Sequence, residues 1–242
     1  RAEHILKLER ELLNRARLTV CLSIHQTRTL MERVPGAAHR VEHFPLGVAD
    51  TFINPAPDEQ PDSRSVGYIG NLSNRVDWAL VGEVACAMPD VDFEFIGSLD
   101  KLETGISSAA WESKRESVIA LPNVNFLGPV SQAEVPKHYW RYAVNWMPYD
   151  IKHPFNIASC PTKIMDALAS GRPFVSTMIP EVVPHADRIS IACNVDQMVE
   201  ALRSALEKTD HDSQGQIEYA QSNTWVARAS RFIELADKHG VL

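Results

Sequence analysis

From Ser65 onward, short apolar runs and amphipathic segments take turns along the chain, and few architectures can be built from that rhythm. The apolar runs predict strands at Ser65–Ile69, Phe93–Ile96, Val124–Leu127, Val144–Met147, Phe174–Ser176 and Ile189–Ala192. Between them, helical spacing predicts helices near Asp77–Ala87, Gln132–Arg141, Thr162–Ser170 and Val195–Glu207. Lys101–Ala120 reads as a long polar loop with one helix, and Gln216–Lys238 as a closing helix. In that helix Trp225, Ala229, Phe232, Ile233 and Ala236 are available for packing. Several strands are apolar throughout, as strands covered on both faces must be. The expectation is an α/β fold with a Rossmann-like, doubly wound parallel sheet.

The first fifty residues form a separate string. Ile5, Leu6, Leu8, Leu12, Leu13 and Ala16 lie at helical spacing, a strand follows at Leu18–Leu22, and Ser23 stands at an N-cap before the helix His25–Arg33. Val41–Phe44 is a second strand. Asn54–Arg64, with Pro55, Pro57 and Pro61 among polar residues, has linker composition and marks the domain boundary. The chain therefore divides into residues 1–53, a linker 54–64 and a main domain 65–242. Arg1 falls inside a charged helical pattern, so the chain reads as a piece of something longer.

Composition removes several function classes. The net charge is −7 with no basic tail, which argues against a general nucleic-acid groove but leaves room for a local anion pocket. No stretch approaches the about 20 apolar residues of a membrane helix, and no signal-peptide pattern opens the chain. Cys21, Cys86, Cys160 and Cys193 form no CxxC pair and suit free thiols in a reducing compartment. GxSxG and HExxH are absent. His39 and His43 lie on an expected strand and Asp90 and Asp92 at a strand start, so neither pair reads as a metal site.

Ligands of open α/β sheets sit beyond the carboxyl ends of the strands, which singles out three loops. In Gly67-Tyr-Ile-Gly70-Asn71-Leu-Ser-Asn-Arg75, glycine lets backbone N–H groups approach an anion and Arg75 offers a fork suited to phosphate. An ordinary glycine turn is the alternative, since neither GxGxxG nor a P-loop is present. In the stretch from Asn156 to Pro173, Pro161 suits a first helical position, with Lys163 in the first turn and Asp166 three residues on. A cation there opposes the helix dipole unless an anionic ligand offsets it, and a carboxylate one turn deeper can accept hydrogen bonds from a ribose diol. A surface ion pair between the two is the alternative. Gly128-Pro-Val130-Ser, the third loop, is either a base-binding turn or a plain one.

Taken in order, these pieces resemble the nucleotide-sugar-binding half of GT-B glycosyltransferases, particularly family-4-like bacterial enzymes of surface-polysaccharide assembly. The matching stretches are Gly67–Gly70 with Arg75–Trp78, Met88–Asp90 before Phe93–Gly97, Leu121–Gly128, Trp146–Tyr149, Pro161–Pro173 and Ser222–Trp225. The resemblance implies a cytoplasmic enzyme, there or at the inner face of the plasma membrane, that transfers sugar from a nucleoside-diphosphate sugar, UDP-linked, to a glycan or lipid-linked acceptor. It implies no metal or other cofactor and no nucleic-acid partner. Acceptor binding and any peripheral membrane contact would belong to a missing N-terminal domain, of which residues 1–53 would be the remnant. Asp166 would hold the ribose, Lys163 and Arg75 would neutralise the diphosphate and act in catalysis, and Gly70 and Asn71 would approach the phosphates or sugar. Val130, Asn156 and Ser159 complete the donor site so implied. Many family members carry a second acid eight residues before the ribose acid; that position is Ala158 here, and the ribose acid is Asp where Glu is usual. Asn156 or Ser159 would substitute. Two other readings stay open: a non-catalytic glycosyltransferase-like binding module, and a GT-B sugar-nucleotide epimerase.

Overall fold

A computed structural model describes residues 2–53, 62–99, 109–207 and 211–242. Helix α1 (Ala2–Arg15), strand β1 (Thr19–Cys21), helix α2 (Ile24–Arg33) and strand β2 (Val41–His43) form the first layer, with β1 and β2 pairing in parallel. Ser23 caps α2 as its position predicts, its Oγ accepting from the Gln26 amide. A 3-10 turn at Pro35–Arg40, led by proline, fills the gap before β2, so His39 lies in a turn rather than on a strand. Ile5, Leu8 and Leu12 of α1 stand exposed.

The main body contains β3 (Asp62–Ile69), α3 (Trp78–Ala87), β4 (Asp92–Ile96), α4 (Ala109–Ile119), β5 (Val124–Gly128), α5 (Val135–Arg141) and β6 (Tyr142–Met147). It continues with α6 (Pro154–Ala158), α7 (Lys163–Ala169), β7 (Phe174–Thr177), β8 (Ser190–Ala192), α8 (Val195–Glu207), α9 (Ser213–Gln221) and α10 (Trp225–Lys238). Its six strands form one parallel sheet in the order β5-β4-β3-β6-β7-β8. That is the doubly wound arrangement, and it reverses direction between β3 and β6. Helices α3, α4 and α8 pack together, while α5, α7 and α9 form a second group. β7 is buried along its whole length, and Trp146, Phe93 and Phe95 interlock in the core with ring centroids 5.2 to 6.0 Å apart.

Five expectations need correction. β3 starts at Asp62, so the last residues assigned to the linker belong to the sheet; residues 54–61 lie outside the described residues, as do 100–108 of the expected Lys101–Ala120 loop. Gly67 is not in the loop after β3 but inside the strand, where a Cβ would lie 1.9 Å from the Tyr142 ring; glycine there makes room for a core aromatic. Pro161 precedes α7 by two residues instead of opening it. The short helix α6 was not anticipated. The closing helix is two helices, because Thr224 caps α10 with its hydroxyl on the Ala227 amide and the chain turns at Ser222–Asn223. On α10 Ala236 is buried, but Trp225, Phe232 and Ile233 are exposed.

The break between α9 and α10 meets the chain where it crosses between the two layers. Val48 donates its amide to the Asn223 carbonyl at 3.1 Å and accepts from the Trp225 amide at 3.1 Å, forming a parallel bridge to Thr224.

Candidate functional site

Beyond the reversal point, the segment after β3 is stitched to the segment after β6. The Asp77 amide donates to the Pro148 carbonyl at 2.9 Å, the Asp150 amide donates to the Arg75 carbonyl at 2.9 Å, and Val76 bridges Tyr149. Asp77 then caps α3 through its Oδ1, and the Trp78 indole N–H holds the Ser73 carbonyl at 2.9 Å. The buried Arg115 of α4 holds the Leu72 carbonyl, also at 2.9 Å. Arg75 is thus carried on a loop held at Leu72, Ser73, Val76 and Asp77 as well as at its own carbonyl.

Its guanidinium is fixed as well. It lies over the Tyr149 and Phe155 rings, 4.9 and 4.4 Å from their centroids, and its Nε–H donates to Asn156 Oδ1 at 2.9 Å. Asn156 is fully buried, and its Nδ2 donates to the carbonyls of Arg75 and Asp150, both at 2.9 Å. All its polar atoms are engaged within the protein, so Asn156 holds Arg75 in place and does not face the cavity as a ligand contact. That corrects its expected role.

Lys163 comes from the first residue of α7 and reaches the glycine turn after β3. Its Nζ stands 5.5 and 5.7 Å from the Tyr68 and Tyr149 ring centroids and bonds the Tyr149 hydroxyl. Gly70, at φ +151°, gives it space, since a Cβ there would lie 2.4 Å from the lysine Cε and Nζ. Gly97, at φ +148°, in turn gives space to Gly70: its Cβ would meet the Gly70 carbonyl oxygen at 1.9 Å. Asn71 follows, its carbonyl accepting from the Tyr68 hydroxyl at 3.1 Å. Burial works to raise the Tyr149 phenol, but the Lys163 and Arg75 cations outweigh it and bring the group below its ordinary value. Burial pushes the Tyr68 phenol up.

Arg75, Tyr149, Phe155, Ala158, Ser159 and Lys163 line a cavity of about 380 Å³, closed on the other side by Leu22 and Gln26 from the first layer. Two cations and no carboxylate stand among the described residues that line it. Ser23 holds the first layer to this rim, its hydroxyl donating to the Ala158 carbonyl at 2.7 Å. Ser159 reaches back to the Asn156 carbonyl at 3.4 Å.

Asp166 lies one turn beyond Lys163 and is not among the lining residues. Burial pushes its carboxyl up to about 7, against the pull of Lys163 and a hydrogen bond from the Thr162 hydroxyl. Val130 follows β5 and packs against the core. So the structure brings Gly70, Arg75, Ser159 and Lys163 together, places Asn156 behind Arg75, and leaves Asp166 and Val130 outside the cavity. Tyr68, Tyr149 and Phe155 were missed as site residues. His153 followed by Pro154 is the legible signal for α6, which carries Phe155 and Asn156; the His153 Nδ1 caps it by accepting from the Phe155 amide at 3.2 Å.

The family model described as glycosyl transferases group 1 matches residues 63–208, more than half of the chain. The chain belongs to the group 1 glycosyltransferases. The chain is 27% identical over 189 residues to TuaH of Bacillus subtilis (strain 168), which carries the name of a teichuronic acid biosynthesis glycosyltransferase. The match covers 74% of this chain and 45% of TuaH. Among solved structures it resembles sucrose-phosphate synthase from Thermosynechococcus elongatus, with TM-score 0.75 and 16% identity, over 98% of this chain and 61% of that one. Anabaena Alr3699/HepE in complex with UDP also matches, with TM-score 0.75 and 16% identity, over 96% of this chain and 67% of that one. These likenesses show a GT-B glycosyltransferase fold. The chain spans under half the length of TuaH and about two thirds or less of the structures it matches. Among its described residues, no helix is long and apolar enough to cross a membrane.

Proposed function

We propose that the cavity between Arg75 and Lys163 takes the diphosphate of a UDP-sugar, and that the full-length protein transfers the sugar to a glycan or lipid-linked acceptor. The observation that carries this reading is a cavity at the sheet's reversal point lined by two cations and no carboxylate. Such a site favours an anion, and two fixed cations also stabilise the charge that develops on a departing diphosphate. The protein thereby needs no resident metal, and chelator treatment should leave nucleotide affinity unchanged. The Anabaena neighbour was solved with UDP and with UDP-glucose, which supports the donor class. The name of TuaH, which speaks of teichuronic acid biosynthesis, supports a polysaccharide setting for the acceptor.

Residues 1–53 would then belong to the acceptor side and residues from about 65 onward to the donor side, with Asp166 meeting the ribose after a modest shift of its side chain. Ribose hydroxyls donating to the carboxylate would stabilise its charged form. Calorimetric titration with UDP should give binding that weakens at least about 10-fold in Lys163→Ala, in Arg75→Ala and in Asp166→Ala. Absence of binding by both UDP and GDP would sink the proposal. The fragment should bind nucleotide without turning over donor.

Ala158 on the cavity wall, where many relatives place an acid, favours a second reading as a non-catalytic nucleotide-binding module. Sugar transfer by the full-length protein eliminates that reading. Donor isomerisation without acceptor would instead indicate an epimerase.

A further inference from the structure

A second cavity, of about 320 Å³, lies between the first layer and the C-terminal helices, on the far side of the Cys160–Pro161 segment. Its polar lining includes Arg228, Arg231, His43, His185 and Glu181, and Leu46, Ile164, Met165 and Tyr219 supply apolar wall. Glu181 is satisfied within the protein. One carboxylate oxygen accepts from the Ile24 amide at 2.9 Å and the other meets His43 Nε2 at 3.0 Å. Arg231 is partly engaged, donating to Asn223 Oδ1 at 3.2 Å and to the Ser222 carbonyl at 3.1 Å.

Arg228 differs from both. It is only 9% exposed, and its guanidinium has no hydrogen-bond acceptor and no ion-pair partner among the described residues. The Phe44 ring centroid lies 5.7 Å from its Cζ. A buried guanidinium ordinarily has a carboxylate, a carbonyl or an anion against its fork. His185 adds a second vacant group, since its Nδ1 is buried and unpartnered. Burial together with Arg188 and Arg228 holds that imidazole down to about 4, so it is neutral near pH 7 and can offer a ring N–H. Arg228, Arg231 and His185 therefore surround one space with donors, while the only carboxylate among the described residues that line it, Glu181, is already paired.

We infer that this cavity is a binding site for a phosphate-class oxyanion, either free or carried on a small organic molecule, held by Arg228 with Arg231 and His185. The site is separate from the Arg75–Lys163 cavity, although both touch Cys160 and Pro161. The fork of Arg228 would take two oxyanion oxygens, and the apolar walls give an organic body a place to lie.

The test is calorimetric titration at constant ionic strength with two probes, inorganic phosphate and phenyl phosphate. Saturable binding of at least one probe is expected. It should weaken about 10-fold or more in Arg228→Gln and severalfold in Arg231→Gln, and persist in Lys163→Ala. Which probe binds tells whether the oxyanion is accepted free or needs its organic body. UDP titration of Arg228→Gln, expected to match the unmodified protein, shows that the variant is folded and keeps this site's outcome separate from that of the donor site. If Arg228→Gln does not fold, the Arg231→Gln comparison decides. Absence of binding by both probes overturns the inference, as does binding that both arginine variants retain or that Lys163→Ala abolishes.

Discussion

Arg75 and Asn156 hold each other from both ends: the arginine Nε–H donates to the amide oxygen, while the amide nitrogen holds the arginine's own carbonyl, each at 2.9 Å. The two residues, 81 positions apart in sequence, are joined by a side chain that is fully buried. Asn156→Ala would take one of two donors from each of the carbonyls of Arg75 and Asp150 and release the guanidinium. It should cost about 1–3 kcal/mol of stability in urea denaturation and weaken UDP binding, although Asn156 does not face the cavity. Unchanged affinity in a folded variant would show that Arg75 needs no such support.

The two glycines beneath Lys163 should respond unequally. Gly70→Ala would push against the far end of a lysine, which can move, so UDP affinity should fall more than stability does. Gly97→Ala would meet a carbonyl oxygen of the neighbouring turn, and backbone cannot step aside. It should destabilise by about 2 kcal/mol or more, read as a lower thermal midpoint, because overpacking adds to an unfavourable φ.

Asp166 links stability and binding to pH. Its folded-state carboxyl titrates near 7, against an ordinary 3.8. Between those values the folded chain holds a proton that the unfolded chain has lost. Stability from this group therefore falls as pH rises from about 4 to about 7, and levels off above. Asp166→Asn should recover on the order of a few kcal/mol at pH 8 and progressively less toward pH 4. If ribose prefers the carboxylate, UDP affinity should rise with pH through 7 in the unmodified protein more steeply than in Asp166→Asn. Parallel pH profiles would remove Asp166 from the nucleotide site.

Glu181 joins the layers, since it accepts from the first amide of α2 and pairs with His43 while lying buried. Glu181→Ala should cost about 3 kcal/mol. Hydrogen exchange should quicken first in residues 19–43, because their attachment is lost before the six-stranded sheet is disturbed. Glu181→Gln, which keeps one acceptor, should lose less.

The order and type of the strands were readable because buried parallel strands write themselves as continuous apolar runs, and Val195–Glu207 was readable because one face of it is apolar. The division of the C-terminal segment into α9 and α10 was not. Apolar residues continue past Thr224 at helical spacing, and only the threonine hydroxyl on the Ala227 amide records the turn. At the site, Arg75 and Lys163 were legible as cations on loops at the right ends of strands. The aromatic pair that sandwiches Arg75 was not, because Tyr149 and Phe155 look like core residues until the chain is folded. Asn156 was found by position, yet its role required knowing that two carbonyls from elsewhere point at it. Arg228 carried no signal at all: an arginine on an amphipathic helix reads as solvated, and its burial is set by Phe44 and Gly47 from the other end of the chain.

The bridge at Val48 has a mechanical consequence. The strand crossing from the small layer to the large sheet is gripped on both its amide and its carbonyl by the turn between α9 and α10. A torque applied to the small layer is therefore transmitted into the C-terminal helices as well as along the covalent chain. Residues 1–47 cannot slide past that grip without shearing two hydrogen bonds at once. The cavity edge formed by Leu22 and Gln26 is thereby tied, through the small layer, to the far end of the polypeptide.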